Sequence, residues 1–199
     1  MAKIQWNPGT LLAPVPPVMV TCACEEEKNV LTIAWTGIVN SQPPKTYVSI
    51  RPSRHSYRLI RESGEFAINL TTTSLVRAAD WCGIYTGAKV DKFARCHLAT
   101  EQASAIGCPL LADSPLSLEC RVTDIIPLGS HDLFMADIVA VDVEESLVDE
   151  EGKLHLERAD LVAYAHGDYF ALGRCLGNFG FSVAKKKSRN PSSQNQKRK

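Results

Sequence analysis

The sequence predicts a mainly β fold with helical insertions, closed into a barrel. Three observations carry this. Short β-branched runs alternate with turn residues along most of the chain, two long alternating runs flank a Pro-Leu-Gly turn at 127–129, and helical patterning is confined to two or three brief stretches. A chain of 199 residues suits one domain, because all-β barrels of this size are commonly undivided. Hydrophobic residues at 45% and charged residues at 22% allow a substantial core without metal or disulfide staples.

The elements follow in chain order. Residues 18–24 form a strand of β-branched and small side chains, and the charged turn 25–29 leads into a second strand, 30–35, so the pair is a hairpin. Residues 40–44 are a turn with two prolines, followed by a third strand at 46–50. Ser56 is placed to cap a short helix through Leu59 and Ile60, which Gly64 ends as a left-handed C′ residue. Residues 66–70 return as a strand. A helix starts at Ser74 and ends near Gly83. After the loop 85–89, Asp91 to Ala94 make one helical turn. The runs 116–126 and 133–143 form a long hairpin suited to a barrel wall. An exposed turn at 149–152, a short strand at 161–164 and a Gly-rich segment at 167–180 complete the chain, which has no internal repeat.

The formal net charge of zero hides an asymmetry. Residues 185–199 carry seven Lys and Arg and no acid, so the body, 1–184, holds 15 basic against 22 acidic residues. An acidic body argues against a dedicated nucleic-acid binder. The tail lacks large apolar side chains and is expected to be disordered and solvated. No apolar run approaches the roughly 18 residues a membrane span requires. Pro8, Pro14, Pro16 and Pro17 interrupt any apolar leader, so the seven cysteines are expected as thiols in a reducing cytoplasm. Cys22-Ala-Cys24 is one residue short of the usual zinc-knuckle spacing and has no second pair, so buried strand thiols are expected there and no metal site.

Two loops concentrate chemistry. Arg51, Arg54, His55 and Ser56 follow the third strand where a helix begins, and free N–H groups with basic side chains at a helix N-terminus suit a phosphate. Thr86-Gly87-x-Lys89 and Lys92-Phe93 add a hydroxyl, a tight turn and two lysines, a second grip of the same kind. Taken alone, basic residues on a surface loop are more often solvated than ligand-bound, and Asp91 is placed to cap its own turn instead.

The chain resembles the flavoredoxin group of the flavin reductase-like family. The resemblance rests on Trp35-Thr36-Gly37, Pro43-Pro44, Ser49, Arg54 to Tyr57, Ser63-Gly64-Glu65-Phe66, Cys82-Gly83-x-x-Thr86-Gly87, Val90 to Phe93, Leu118-Glu119-Cys120, Gly129-x-His131 and Gly177-x-Phe179-Gly180, in order along residues 14–182. It implies an FMN-binding split β-barrel, a homodimer, and NAD(P)H or a redox protein as the electron partner. The resemblance places Thr32, Ile33, Ala34, Trp35 and Thr36 along the flavin ring. It places Arg54, Ser56, Thr86 and Lys92 at the phosphate, within loops that also hold Ser49, Arg51, His55, Tyr57, Gly87, Lys89 and Phe93. Thr86 stands where the family often has Ser. His131 would act catalytically at the nicotinamide side or serve only to stabilise its hairpin. Cys82 would lie near the flavin or pack as a buried thiol, and Trp81 reads as a core aromatic. Two activities are implied, an NAD(P)H-linked FMN oxidoreductase and a flavoredoxin-type carrier reduced by a protein. A barrel that has lost its flavin is the third reading.

Overall fold

A computed structural model of the chain describes residues 1–183. The expected basic tail, 185–199, lies outside the described residues. β1 (Val18–Cys24) and β2 (Glu27–Ile33) pair antiparallel with Cys24 opposite Glu27, so the turn is only Glu25-Glu26, and Glu25 takes φ 54° to make it. β3 (Thr36–Ser41) and β4 (Pro44–Ile50) form a second hairpin, followed by α1 (His55–Ser63) and β5 (Glu65–Leu70). α2 (Val76–Ile84) and α3 (Lys92–Cys96) come next, then the short pair β6 (Thr100–Gln102) and β7 (Pro109–Leu111). β8 (Leu116–Pro127) and β9 (Asp132–Val143) are the long hairpin, and β10 (Val162–Ala165) pairs with β11 (Asp168–Ala171).

Seven strands form one antiparallel sheet in the order β2-β1-β5-β8-β9-β4-β3. The two edge strands, β2 and β3, are separated in sequence by Ala34 and Trp35 alone. A two-residue link cannot cross an open sheet, so the sheet curls until its edges nearly meet. The link is pinned there by the Ser49 N–H, which donates to the Trp35 carbonyl at 2.9 Å. The barrel is therefore split at this seam.

Alternation along β1 explains the two cores. Val18, Val20 and Cys22 point into the barrel with Leu31, Ile33, Val48, Phe66 and Phe134, whereas Met19 points outward and meets Val30, Leu75, Ala79, Cys82, Phe93, Leu98 and Leu111 beneath α2 and α3. A sheet face of this kind must be covered, and the two helices cover it.

Several local expectations are corrected. The strand expected at 30–35 ends at Ile33, and a further strand, β3, precedes the proline turn; Ile38 and Val39 are exposed on it, so no core periodicity marks it. Ser56 does not cap α1. The N-cap is Arg54, with no side-chain cap bond, and the Ser56 hydroxyl accepts from Asn29 Nδ2 at 2.8 Å. Gly64 ends that helix at φ 72° and Asp91 caps α3 through Ala94 N–H at 3.1 Å, both as expected. Among the described residues no helix is long and apolar enough to cross a membrane.

Candidate functional site

The seam opens into a cavity of about 350 Å³. Its floor is the end of β2 and the link, Leu31 to Trp35, and one wall is Ser49, Ile50 and Arg51 leaving β4. Arg54 and His131 complete the basic end, while Asp80, Gly83 and Ile84 of α2 and Tyr164 and Tyr169 of the last hairpin close the other. That hairpin is held over the seam by a bridge in which Val15 and Tyr164 exchange backbone bonds at 2.9 and 2.8 Å. Of the residues singled out in the sequence, the structure thus brings Thr32, Ile33, Ala34, Trp35, Ser49, Arg51, Arg54 and His131 to one cavity.

Both arginines are exposed, free of carboxylate partners among the described residues. They stand where α1 begins without an acidic or capping side chain, so no side chain compensates the N–H groups of its first turn, of which Tyr57 N–H donates to the Arg54 carbonyl at 3.0 Å. His131 Nδ1 lies 3.0 Å from the Ser130 hydroxyl. Burial, together with the positive charges of Arg51 and Arg54, pushes this imidazole below its ordinary range, which keeps it neutral near pH 7. At the opposite end, the Tyr169 hydroxyl donates to Asp80 Oδ1 at 3.4 Å, and burial with that carboxylate holds the phenol up at about 12.

A second, more apolar cavity of about 680 Å³ adjoins the first and shares Ala34, Trp35, Ser49 and Tyr164 with it. Thr36, Tyr47, Leu11, Leu128 and Leu133 line its far side. Thr36 turns its hydroxyl onto the Tyr47 carbonyl at 2.6 Å, which leaves its methyl edge for this space.

The other expected residues sit elsewhere. The Lys92 ammonium is buried and donates to the Val30 and Cys82 carbonyls at 2.8 and 2.7 Å, tying α3 to β2 and α2. Tyr57 donates to Asp132 at 2.6 Å and packs edge-on against Phe134. His55 pairs with Glu27 at 2.5 Å. Cys82 and Phe93 are core residues under the helices, Phe93 also carrying Lys28 over its ring. Thr86 and Lys89 are exposed on the loop after α2, and Gly87 abuts Asn29 so tightly that a Cβ there would lie 2.2 Å from Asn29 Oδ1. Because Asn29 also binds Ser56, that loop is fastened beside the start of α1. Asp80, Tyr164 and Tyr169 carry no local sequence signal, since their shared position depends on contacts between distant segments.

The family model described as the flavin reductase like domain matches residues 11–173. Flavoredoxin of Desulfovibrio vulgaris (Miyazaki F) superposes with a TM-score of 0.85 at 31% identity, over 92% of this chain and all of that one. An NADPH-flavin oxidoreductase of Streptomyces viridifaciens is 30% identical over 71% of this chain and 74% of its own length. An uncharacterised protein of Aeropyrum pernix is 33% identical over 66% of this chain, which spans about half the length of that relative. With the split barrel, the seam cavity and a family match over most of its length, the chain belongs to the flavin reductase-like family.

Proposed function

We propose that the protein binds FMN in the seam cavity and works as an oxidoreductase that accepts electrons from NAD(P)H and passes them on. The observation that carries the reading is the juxtaposition at one seam of a slot floored by backbone and Trp35 with two arginines unpaired among the described residues and a helix start without a side-chain cap. The donor set fits the group. Guanidinium and N–H donors match a phosphate dianion, and the backbone of Thr32 to Trp35 matches the polar edge of a flat heterocycle. FMN supplies hydride and single-electron chemistry when bound.

The residues of this chain supply position and field. Arg51, Arg54 and the first N–H groups of α1 hold the phosphate, with Thr86, Gly87 and Lys89 on the adjacent loop as its outer wall. Ala34 and Trp35 fix the ring plane, and Tyr164 and Tyr169 exclude water from above. Neutral His131 donates a hydrogen bond at the basic end without adding a third cation beside Arg51 and Arg54. The apolar cavity beyond Trp35 receives the planar end of the electron donor, so donor and ring meet across shared side chains. Lys92 acts from behind, as a positioning residue that holds β2 against α2. A homodimer in the cytoplasm is part of the proposal.

The visible spectrum of purified protein, with an FMN titration followed by anaerobic NADH or NADPH, tests this reading. The expected result is quenched flavin fluorescence on binding and bleaching by one nucleotide. Colourless protein that leaves FMN fluorescence unchanged would end the proposal. The flavoredoxin likeness supports a second reading, a carrier reduced by a protein; flavin bound but bleached only by reduced ferredoxin selects it.

A further inference from the structure

Outside the seam, Cys82 in the last turn of α2 and Cys96 at the end of α3 bring their sulfurs to 4.0 Å. The rest of their geometry is complementary. Cys82 is fully buried, whereas Cys96 is half-buried and opens onto a separate polar cavity of about 600 Å³ lined by Ser74, His97 and Asp113. The Lys92 bond to the Cys82 carbonyl holds the two helices in register.

We propose that Cys82 and Cys96 are a redox-active dithiol that closes to a disulfide when the protein meets a hydroperoxide, and that the bridge locks the loop between α2 and α3. A disulfide needs its sulfurs at about 2.05 Å, so closure asks for side-chain rotation and a small local shift rather than refolding. The more accessible thiol reacts first: Cys96 sulfur attacks the peroxide, an S–O bond forms, the O–O bond breaks, and an alcohol or water leaves with the thiol proton. Cys82 sulfur then displaces the hydroxyl of the Cys96 sulfenic acid, forming S–S and releasing water with the Cys82 proton. Two electrons pass from the two thiols to the peroxide, and a dithiol reductant of the thioredoxin class reverses the change.

Burial, with the neighbouring Cys96, pushes the Cys82 thiol up to about 12, which makes it a poor nucleophile toward peroxide, so its part in the second step rests on its sulfur standing 4.0 Å from that of Cys96. Its slow ionisation is offset by standing in contact with its target. The closed ring spans residues 82–96 and contains Thr86, Gly87 and Lys89. The bridge therefore acts on the loop assigned above to the phosphate, although the bridge itself does not depend on FMN binding.

Intact mass and peptide mapping of full-length protein, before and after stoichiometric hydrogen peroxide, provide the test, with trypsin cleavage after exposed Lys89 as a second readout. The expected result is loss of two hydrogens, a peptide pair linking Cys82 to Cys96, and several-fold slower cleavage after Lys89 that a dithiol reductant restores. Cys82→Ser should leave a Cys96 sulfenic acid that dimedone captures, and Cys96→Ser should make cleavage indifferent to peroxide. Peroxide-treated wild type in which both residues stay reduced, or pair with other cysteines, overturns the proposal. A mapped bridge with unchanged cleavage overturns the locking of the loop.

Discussion

A charged lysine loses several kcal/mol of hydration on entering an interior unless carbonyl oxygens replace the water. Lys92 meets that demand with two carbonyls, yet burial still lowers it from an ordinary 10.5 to about 8. Between about 8 and 10.5 the unfolded chain therefore holds more protons than the native one, and stability rises with pH across that window. Lys92→Met should cost about 1–3 kcal/mol at pH 7 by leaving buried carbonyls unpaired, and it should abolish that rise. Urea midpoints at pH 7 and pH 10 check both. Arg54 presents the opposite case, an exposed guanidinium with no carboxylate partner among the described residues. Arg54→Ala should leave the urea midpoint unchanged and weaken FMN binding about 10- to 100-fold, the loss of one charge-assisted phosphate contact, measured by fluorescence titration.

At the scale of elements, the loop after α2 and the start of α1 are joined through one side chain, Asn29 of β2. Gly87→Ala drives a methyl into the Asn29 amide and breaks its bond to Ser56. The expected loss is about 1–3 kcal/mol. Gly87→Ala combined with Asn29→Ala should recover part of it, because the clash is gone, and a double-mutant cycle of thermal midpoints reads that coupling. The same contact explains what the sequence did and did not disclose. Gly64 and Asp91 act on groups within four residues, so a short window contains the whole cause. Ser56 carries the same capping chemistry, but its partner is 27 residues away and no local pattern announces the competition. Lys92 is expected at the phosphate and instead lies buried for the same reason: the carbonyls that hold it belong to β2 and α2. β3 escaped notice because both its apolar residues face solvent.

For the whole molecule, the barrel was legible because alternation and turn chemistry specify strands, whereas the seam was not, because it arises from sheet order. Only when β2 and β3 are known to be opposite edges does the link at Ala34 and Trp35 become a site. Asp80 and Tyr169 join it from elements 89 residues apart. The loop between β6 and β7 depends on a similarly remote anchor. Glu119 of β8 is fully buried and accepts from the N–H groups of Ser104, Ala105 and Ile106 at 2.8, 2.6 and 3.0 Å and from the Ser104 hydroxyl at 2.7 Å. Burial by itself raises this carboxyl, and the donors from Ser104 and Ala105 more than reverse the effect, so it ionises below the ordinary 4.5. Its contribution to stability is present above that value and is lost as pH falls through the depressed one. Asp142 on β9 faces it, raised above its ordinary 3.8 by burial first, then by the hydrogen bond its protonated form gives Glu119 and by the Glu119 charge. A carboxyl raised in this way prefers its proton in the native state, so Asp142 costs stability at neutral pH and the cost fades as acid protonates it. Asp142→Asn mimics the protonated form, removes the repulsion and offers Glu119 a further donor. The variant should unfold at a higher temperature than wild type at pH 7, by a few degrees, with the gap closing toward pH 4. Glu119→Gln should do the reverse, lowering the midpoint at pH 7 because a neutral amide cannot accept from all the donors that shaped the loop. If calorimetry across that range finds both variants parallel to wild type, the two carboxyls do not share the coupling assigned to them.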